Sequence, residues 1–398
     1  MSALKVIAIV LLSLFLALSL TVFSWLFSLK MTALNANYVT SQIDDLPITA
    51  IVEEAEFDEV IEENPEMVDL IKSSIIENEA ELKERIGEII NTVYDYLKGR
   101  SQELDLAATL SDTVLDPDFS ISIVEKANLT PLIKELLNEM MSDIELPYEL
   151  SIEPHLDDIA QELEPWVKQQ AAIAIPPIYD YILGQSQNTN LIISLAPATE
   201  SLKNALKQDF LESVPPEFAG LSTAELEQEF DEIFDDFADD IRQNIDIDLE
   251  LMGSNMASDV AGSLADAEEA FGESRRYVGY LNTVYGLLIG FIVLLIAGIV
   301  LVYRQVKGST RTLGAIFLSY GAINLIAVFI ARGIASSQMT QLDDVPLSIR
   351  TWLTQFTTSS LTPLLVLSIV LLVIGAALLT VSFIYQRRQT PAVKETPL

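Results

Sequence analysis

The side chains of this sequence best suited to chemistry are carboxylates, and they are densest between residues 225 and 240. The acids of this stretch are Glu225, Glu227, Glu229, Asp231, Glu232, Asp235, Asp236, Asp239 and Asp240. Such oxygens can bind Ca²⁺ or Mg²⁺, and two facing carboxyl groups about 5–10 Å apart can hydrolyse a glycosidic bond. However, apolar residues recur between the acids at helical spacing: Leu226, Phe230, Ile233, Phe234, Phe237 and Ile241. The pattern favours the solvated face of an amphipathic helix over a metal site, because no EF-hand loop accompanies it.

Histidine and cysteine usage excludes several classes of active site. The chain has one histidine, His155, and no cysteine. Disulfides, thiolate metal sites, cysteine nucleophiles, histidine triads and multi-histidine metal sites are therefore excluded within one chain. His155 precedes Asp157 and Asp158 and could respond to pH, although an ordinary surface residue is the favoured interpretation. We predict no catalytic, cofactor-binding or metal-ligating residue, no cofactor and no enzymatic activity.

Charge and hydrophobicity are segregated along the chain. The net charge is −35, yet half of the 398 residues are hydrophobic and the mean hydropathy is +0.35. Between Leu29 and Val278 lie 55 of the 58 acids but only 14 of the 23 Lys and Arg residues, a local formal charge of −41. This region should be repelled by nucleic acid and by anionic lipid headgroups, so nucleic-acid binding is excluded.

Four uncharged stretches predict transmembrane helices, since about 20 apolar residues cross the hydrocarbon layer. They are residues 6–29, 279–302, 312–331 and 361–385. The first could be a cleaved signal peptide, with Ala33–Ala36 as a weak cleavage site. Its apolar run is much longer than the usual 7–15 residues or so, which favours an uncleaved anchor.

Basic residues beside the spans predict the orientation, because cytoplasmic loops are enriched in Lys and Arg. They lie near the N-terminus, between the second and third spans, and after the fourth: Lys5, Arg304, Lys307, Arg311, Arg387, Arg388 and Lys394. Lys30, Arg275 and Arg276 oppose this assignment but are outnumbered. We predict a multi-pass protein of the cytoplasmic (cell) membrane with both termini inside and the acidic region outside.

A short motif occurs twice in the acidic region. Tyr-Asp-Tyr-Leu-Lys-Gly-Arg-Ser-Gln, residues 94–102, reappears as Tyr-Asp-Tyr-Ile-Leu-Gly-Gln-Ser-Gln, residues 179–187. Six identities in nine positions favour duplication of an amphipathic helix that ends at a glycine such as Gly99 and is followed by a strand. The four tyrosines are predicted to pack at the helix ends: Tyr94, Tyr96, Tyr179 and Tyr181. Alternating stretches at 104–110, 119–124 and 246–250 predict strands.

A second repeated motif occurs shortly after the first span and shortly after the third. Gln-Ile-Asp-Asp-Leu-Pro, residues 42–47, matches Gln-Leu-Asp-Asp-Val-Pro, residues 341–346, and a Leu-Pro echo lies at 144–147. One interpretation is a pair of membrane hairpins, of which one connection has grown into a domain and the other remains a short helix at 347–356. The other is that acids and proline simply suit the start of a helix.

The span arrangement and the repeated Tyr-Asp-Tyr-x-x-Gly-x-Ser-Gln motif resemble a group of uncharacterised bacterial membrane proteins. These have one N-terminal span, a repeated extracytoplasmic domain and three C-terminal spans. The resemblance covers most of the chain and implies an envelope location, but it implies no activity.

Polar and small residues inside the spans suggest how the bundle is built. Gly286 and Gly290 form a GxxxG pattern, for which packing within the bundle is favoured over dimerisation. Asn324 should face the bundle, because an unpaired amide in lipid is costly. Arg332 can extend to the headgroups.

The predicted fold is mainly α, with four transmembrane helices and an α-rich outer domain of two repeats and minor β. The predicted segments are 1–29 (anchor), 30–278 (outer domain, with repeats at about 39–130 and 140–215 and a return segment at 216–278), 279–302, 303–311 (cytoplasmic loop), 312–332, 333–360 (outer loop), 361–386 and 387–398 (cytoplasmic tail).

The absence of a catalytic constellation beside a large outer domain predicts a non-enzymatic envelope protein. Its outer domain would bind a partner protein or an apolar ligand, and the lipid bilayer surrounds its spans. The alternative is a transporter or assembly component whose bundle contains a polar groove lined by Ser319, Tyr320 and Asn324.

Overall fold

A computed structural model describes residues 3–54, 65–142, 153–186, 190–238, 244–248, 256–339 and 345–388. The chain is mainly helical in these ranges. The helices are α1 (Ala3–Met31), α2 (Ala36–Asp44), α3 (Ile48–Glu54), α4 (Pro65–Glu77), α5 (Glu79–Leu97), α6 (Leu106–Ser111), α7 (Pro117–Lys126), α8 (Thr130–Ser142), α9 (Leu156–Ile182), α10 (Ala196–Glu212), α11 (Thr223–Ala238), α12 (Met256–Tyr303), α13 (Val306–Met339), α14 (Leu347–Ser360) and α15 (Thr362–Arg388). Strands β1 (Asn190–Ser194) and β2 (Asn244–Asp248) form a two-stranded sheet.

Four helical stretches are long and apolar enough to cross a membrane, as the sequence predicts. They are Lys5–Met31, Ser258–Tyr303, Val306–Gln338 and Leu347–Ile384. A helix satisfies its own backbone hydrogen bonds, which is what a span needs in lipid.

The chain divides into two compact units. The membrane unit comprises Met1–Glu54, Ile90–Leu104 and Ala270–Leu398, and the acidic unit comprises Ala55–Ile89 and Asp105–Glu269. Helices α5 and α12 each contribute residues to both units.

All four membrane-length helices contribute to the core of the membrane unit. Its buried residues come from α1, α12, α13 and α15 in turn: Leu16, Leu20, Leu295, Ile299, Leu313, Phe317 and Leu371. A second contact joins α1 to α12, where the Phe23 and Tyr285 rings stack with centroids 5.5 Å apart.

Short helices follow both Asp-Asp-x-Pro segments and pack together in the membrane unit. Helix α3 follows Pro47 and α14 follows Pro346, so the helix predicted at 347–356 is confirmed and extends to Ser360. The Trp352 indole donates to the Gln42 carbonyl over 2.8 Å. The Glu54 carboxylate accepts hydrogen bonds from the backbone N–H and the hydroxyl of Ser348, 3.1 and 2.9 Å away, and so caps the start of α14.

The acidic unit has two apolar clusters built on its central helix α9. One joins α9 to the loop before α8 and to α8 itself: Leu129, Ile133, Ile159, Ala160 and Leu163. The other joins it to α10 and α11: Leu156, Leu202, Leu206, Phe210, Leu226, Phe230 and Phe234. Amphipathic helices bury their apolar stripes in this way and leave their acids to water.

Two of the three predicted strands are wrong. Residues 106–110 of the first stretch belong to α6, and residues 119–124 belong to α7. Each helix begins at an aspartate cap: Asp105 accepts from the Ala108 N–H over 2.8 Å, and Asp116 accepts from the Asp118 N–H over 3.1 Å, with Pro117 in the first turn. Capping and proline at the first helical position favour a helix over the alternation that suggested strands. The strand predicted around Asp246 is confirmed as β2, while residues 249 and 250 lie outside the described ranges.

The two Tyr-Asp-Tyr-x-x-Gly segments end their helices with the same backbone geometry. Gly99 and Gly184 have φ of +75° and +69°. In the first segment, the backbone N–H of Gly99 donates to the Tyr96 carbonyl and that of Arg100 donates to the Asp95 carbonyl. In the second segment, the backbone N–H groups of residues 184 and 185 donate to the carbonyls of Tyr181 and Asp180. This is the Schellman arrangement, in which a left-handed glycine satisfies the last carbonyls of a helix.

The chain differs after the two glycine turns. The first turn leads to α6 and the second to β1, so the strand predicted after the first turn is wrong. The upstream echo at 144–147 lies outside the described residues.

Candidate functional site

Helices α13 and α15 meet backbone to backbone through three glycines. A Cβ added at Gly375 would lie 2.6 Å from the Leu318 nitrogen, and one at Gly314 would lie 2.9 Å from the Gly375 carbonyl oxygen. At Gly321 it would lie 2.9 Å from the Ser368 carbonyl oxygen. Since real Cβ atoms do not approach backbone atoms this closely, these helices can pack as they do only with glycine at these positions.

Polar side chains within the bundle hydrogen-bond to one another. Asn324 faces the bundle, as predicted, and its amide donates to the Ser368 hydroxyl over 2.9 Å. The Tyr320 hydroxyl contacts the Ser24 hydroxyl at 2.9 Å and donates to the Leu20 carbonyl over 3.0 Å. Ser319, the third residue of the hypothesised groove, is exposed on the outside of α13. The structure therefore brings Tyr320 and Asn324 into helix contacts but does not bring the three residues together.

The GxxxG pattern of α12 faces outward. A Cβ added at Gly286 or Gly290 would meet nothing within 4 Å, so the prediction that this pattern packs within the bundle is wrong. Helix α12 instead meets α1 near Gly298, where an added Cβ would lie 3.6 Å from Leu12. Residues 295 and 299 on that face are buried. The sequence could not distinguish the faces, because glycines occur on both of them.

Arg332 lies in the C-terminal part of α13, which ends at Met339, and beside the start of α15. Its guanidinium donates to the Thr362 hydroxyl over 2.9 Å. This contact joins α13 to α15, and the headgroup contact predicted for Arg332 remains a prediction.

The acidic helix α11 has the amphipathic arrangement that the sequence predicts. Leu226, Phe230 and Phe234 are buried. Of the acids with described side chains, Glu225, Glu227, Glu232 and Asp235 are exposed, and Glu229 and Asp231 are half-buried. The acids therefore form a largely solvated face. The side chains of 236 and 237 and all of residues 239–241 lie outside the described part. Among the described residues, no group of three His, Cys, Asp or Glu side chains could hold a metal ion.

Two lysines of α10 neutralise part of this acidic face. Lys203 lies 2.9 Å from Asp235 and 3.3 Å from Asp231, and Lys207 lies 3.4 Å from Asp231. The hydrogen bond to Asp235, followed by that to Asp231, raises the pKa of Lys203 despite its burial. Burial alone would raise the pKa of Asp231, but the two lysines outweigh it and lower that pKa. These charges join α10 to α11.

Glu164 on α9 accepts two hydrogen bonds from residues at the start of α8. Its carboxylate lies 2.7 Å from the Lys168 ammonium, and it accepts a hydrogen bond from the Thr130 hydroxyl over 2.5 Å and one from the Leu129 N–H over 3.4 Å. The hydrogen bond from Lys168, followed by that from Thr130, lowers the pKa of Glu164. The carboxylate thereby holds the start of α8 against α9, which is a structural role that sequence reasoning did not single out.

His155 and the repeated tyrosines have ordinary packing environments. His155 is the residue directly before α9. It is half-buried, and its side chain makes no hydrogen bond that caps the helix. Tyr94 donates to the Ala33 carbonyl, and burial raises its pKa. The Arg275 guanidinium lies 4.6 Å from the centre of the Tyr96 ring, and the Tyr179 hydroxyl lies 2.7 Å from that of Ser120.

Cavities in the described part of the acidic unit have walls of mixed polarity. One of 330 Å³ is bordered by the polar residues Glu66, Asp69, Ser73, Ser74, Glu77, Asn78, Lys126 and Asn128 and by the apolar residues Leu70, Ile123, Ala127, Pro131 and Leu132. Another, of 650 Å³, is bordered by Glu66, Lys134, Glu135, Asn138, Glu153 and Asp157, among others. Apolar ligands prefer cavities with mostly hydrophobic walls.

Comparison of the chain with protein-family models, with curated proteins and with solved structures finds no match.

Proposed function

We propose that this chain is a non-enzymatic envelope protein whose four-helix bundle anchors an acidic domain that binds a partner protein outside the cytoplasm. The observation that carries the proposal is the close packing of α13 against α15, beside which α1 also packs. Backbones of α13 and α15 touch at three glycines, and Tyr320 and Asn324 already have partners within the protein. A packed bundle of this kind suits an anchor better than a passage for solutes, which assigns recognition to the acidic unit.

The walls of the acidic unit favour a protein partner over an apolar ligand. Two of its described cavities, of 330 and 650 Å³, carry several charged side chains each, and bringing a hydrocarbon against those side chains would strip them of water at a cost in free energy. The exposed acids of α11 are instead suited to polar contacts at a protein surface.

The basic flanks support the orientation in this proposal. Arg304, Lys307 and Arg311 cluster at the connection between α12 and α13, and by the positive-inside rule that connection is cytoplasmic. An even number of spans then puts both termini inside and residues 30–278 outside. The resemblance to bacterial membrane proteins with a repeated outer domain, and the matching glycine turns at Gly99 and Gly184, are consistent with a bacterial envelope and with duplication.

Single-cysteine labelling tests the orientation cleanly, because the chain has no cysteine of its own. Glu217→Cys places a thiol at an exposed site of the acidic unit, and Gln305→Cys places one in the exposed connection between α12 and α13. A membrane-impermeant maleimide should label the first variant in spheroplasts and the second only after lysis. The reverse pattern would contradict the proposed topology.

Partner binding is tested separately by photo-crosslinking in the membranes of the native host. A photoreactive residue at exposed Glu232 should give a defined protein adduct, whereas one at Leu287, 70% exposed on a span, serves as the lipid-facing control. If positions on the acidic unit give no protein adduct beyond the control, the binding function is refuted.

A further inference from the structure

We propose that the connection between α12 and α13 binds the headgroup of an anionic phospholipid through Arg304, Lys307 and Arg311. This site is independent of the partner of the acidic unit, because its cations lie at the ends of two membrane-length helices, whichever side of the membrane the connection faces.

The three cations lie directly beside the apolar parts of α12 and α13. Helix α12 ends at Tyr303 and α13 begins at Val306, so only two residues join the helices. The uncharged stretch 279–302 ends two residues before Arg304, and the stretch 312–331 begins directly after Arg311. Since roughly 20 apolar residues cross the hydrocarbon layer, the cations lie at the depth of the lipid headgroups.

Contacts between helices hold the backbone of this connection in place. The Tyr303 hydroxyl lies 2.7 Å from that of Thr312, and the Tyr303 ring covers Gly308, where an added Cβ would collide with it. On the other side, the Ser382 hydroxyl of α15 donates to the Lys307 carbonyl over 3.1 Å. The main chain that carries the cations is therefore already ordered, so a bound headgroup loses little affinity to the ordering of the protein.

The cations have no counter-charge within the described part of the chain. Arg304 and Arg311 are exposed and Lys307 is half-buried, and the charged group of none of them has an ion pair or a hydrogen bond there. From residue 279 to the C-terminus the sequence has only three acids, which lie beyond the far end of α13 or in the C-terminal tail: Asp343, Asp344 and Glu395. Lys307 and Arg311 are one helical turn apart, a spacing at which like charges repel. An external anion would relieve this repulsion.

Apolar side chains beside the cations favour a lipid over a free anion. Leu301, one turn before Arg304, is 71% exposed, and Val306, between two of the cations, is 53% exposed. A lipid phosphate bound at the cations would bring its acyl chains against such side chains, whereas inorganic phosphate gains nothing from them. Three cations without an acid favour an anionic headgroup over a zwitterionic one, whose amine would be repelled.

The test is native mass spectrometry of the full chain in micelles of a neutral detergent, to which lipid is added. Phosphatidylglycerol and phosphatidylcholine with the same acyl chains are compared. Each Lys or Arg near the membrane surface strengthens the attraction of anionic lipid about fivefold. The first phosphatidylglycerol should therefore bind at least about tenfold more tightly than phosphatidylcholine.

Matched double variants locate the site. Arg304→Gln with Arg311→Gln should weaken phosphatidylglycerol binding about tenfold and leave phosphatidylcholine binding unchanged. Lys30→Gln with Arg276→Gln removes the same charge from exposed positions at the other ends of α1 and of the apolar part of α12, and should change the affinity by less than about twofold. Arg304→Lys with Arg311→Lys keeps the charge and should retain most of the binding, which separates a loss of charge from a loss of folding.

Each contrary result overturns the lipid site in a distinct way. Equal binding of the two lipids, or equal losses in the two Gln double variants, excludes a specific anionic-lipid site at this connection. Full competition by inorganic phosphate would show a site for a free anion instead. Deletion of residues 389–398, which carry Glu395 and the terminal carboxylate, should leave phosphatidylglycerol binding unchanged. A severalfold gain would show that the tail of the chain, and not a lipid, occupies the cations.

Discussion

The glycine contact between α13 and α15 gives the sharpest prediction about stability. Gly375→Ala would place a methyl group 2.6 Å from the Leu318 nitrogen and 2.9 Å from its Cα, about 1 Å inside normal contact with atoms that belong to a helix backbone. The helices must separate locally, because neither backbone can move aside as a flexible side chain would. Overpacking of this kind costs about 1–3 kcal/mol, and the better helix propensity of alanine offsets up to about 1 kcal/mol.

We therefore expect Gly375→Ala to lower the free energy of unfolding by about 1–2 kcal/mol, or five- to thirtyfold in the equilibrium constant. The matched control is Gly290→Ala, which makes the same chemical change where an added Cβ meets nothing within 4 Å. The control should be neutral or slightly stabilising in the monomer.

Reversible unfolding in mixed micelles, titrated with a denaturing detergent, measures both variants against the parent chain. Gly314→Ala, whose Cβ would lie 2.9 Å from the Gly375 carbonyl oxygen, should behave like Gly375→Ala. If Gly375→Ala leaves the free energy of unfolding unchanged while Gly290→Ala lowers it, the close packing of α13 against α15 is refuted.

Two further predictions concern single polar contacts. Asn324→Leu removes the hydrogen bond to Ser368. It should lower the free energy of unfolding in the same detergent titration by about 0.6 kcal/mol, the average for interhelical hydrogen bonds in membrane proteins. The control Ser319→Ala, on the exposed side of α13, should leave that free energy unchanged. Glu164 has a pKa that is lower in the folded than in the unfolded state, so its contribution is present above its unfolded pKa of about 4.3 and is lost as pH falls through the folded value. Glu164→Gln should thus destabilise the fold around Trp166 near neutral pH. The difference in stability between this variant and the parent chain, followed by Trp166 fluorescence, should shrink at acid pH. A difference in stability that does not depend on pH would contradict the ionic role of Glu164.

Local features of this protein could be predicted because their physical causes lie within short stretches of sequence. A span needs about twenty uncharged residues, and the four such stretches are the four membrane-length helices. Gly99 ends α5 because glycine adopts positive φ without strain, and α11 buries the stripe that contains Phe230 because its apolar residues recur every three or four positions.

The helix caps explain why two stretches that do alternate in polarity were wrongly predicted to be strands. Residues 104–110 and 119–124 alternate in polarity, yet residues 106–110 lie in α6 and residues 119–124 lie in α7, because Asp105 and Asp116 cap the helix starts. Alternation over six or seven residues is too short to distinguish a strand from one or two turns of helix, and the cap contributes about 1 kcal/mol to the helical alternative.

Only the tertiary structure decided which residues meet across the chain. Gly286 and Gly290 form the recognisable motif but face outward, while Gly314, Gly321 and Gly375, which form no such pattern together, bring two backbones into contact. Strand β1 pairs with β2, which follows it in the sequence only after α10 and α11. Ser319 is exposed and does not join Tyr320 and Asn324 in the hypothesised groove. Composition and periodicity determine what kind of element a stretch forms and which residues share a face. The partner of each face depends on how helices of equal hydrophobicity rotate against one another, and that is decided by close packing over the whole bundle.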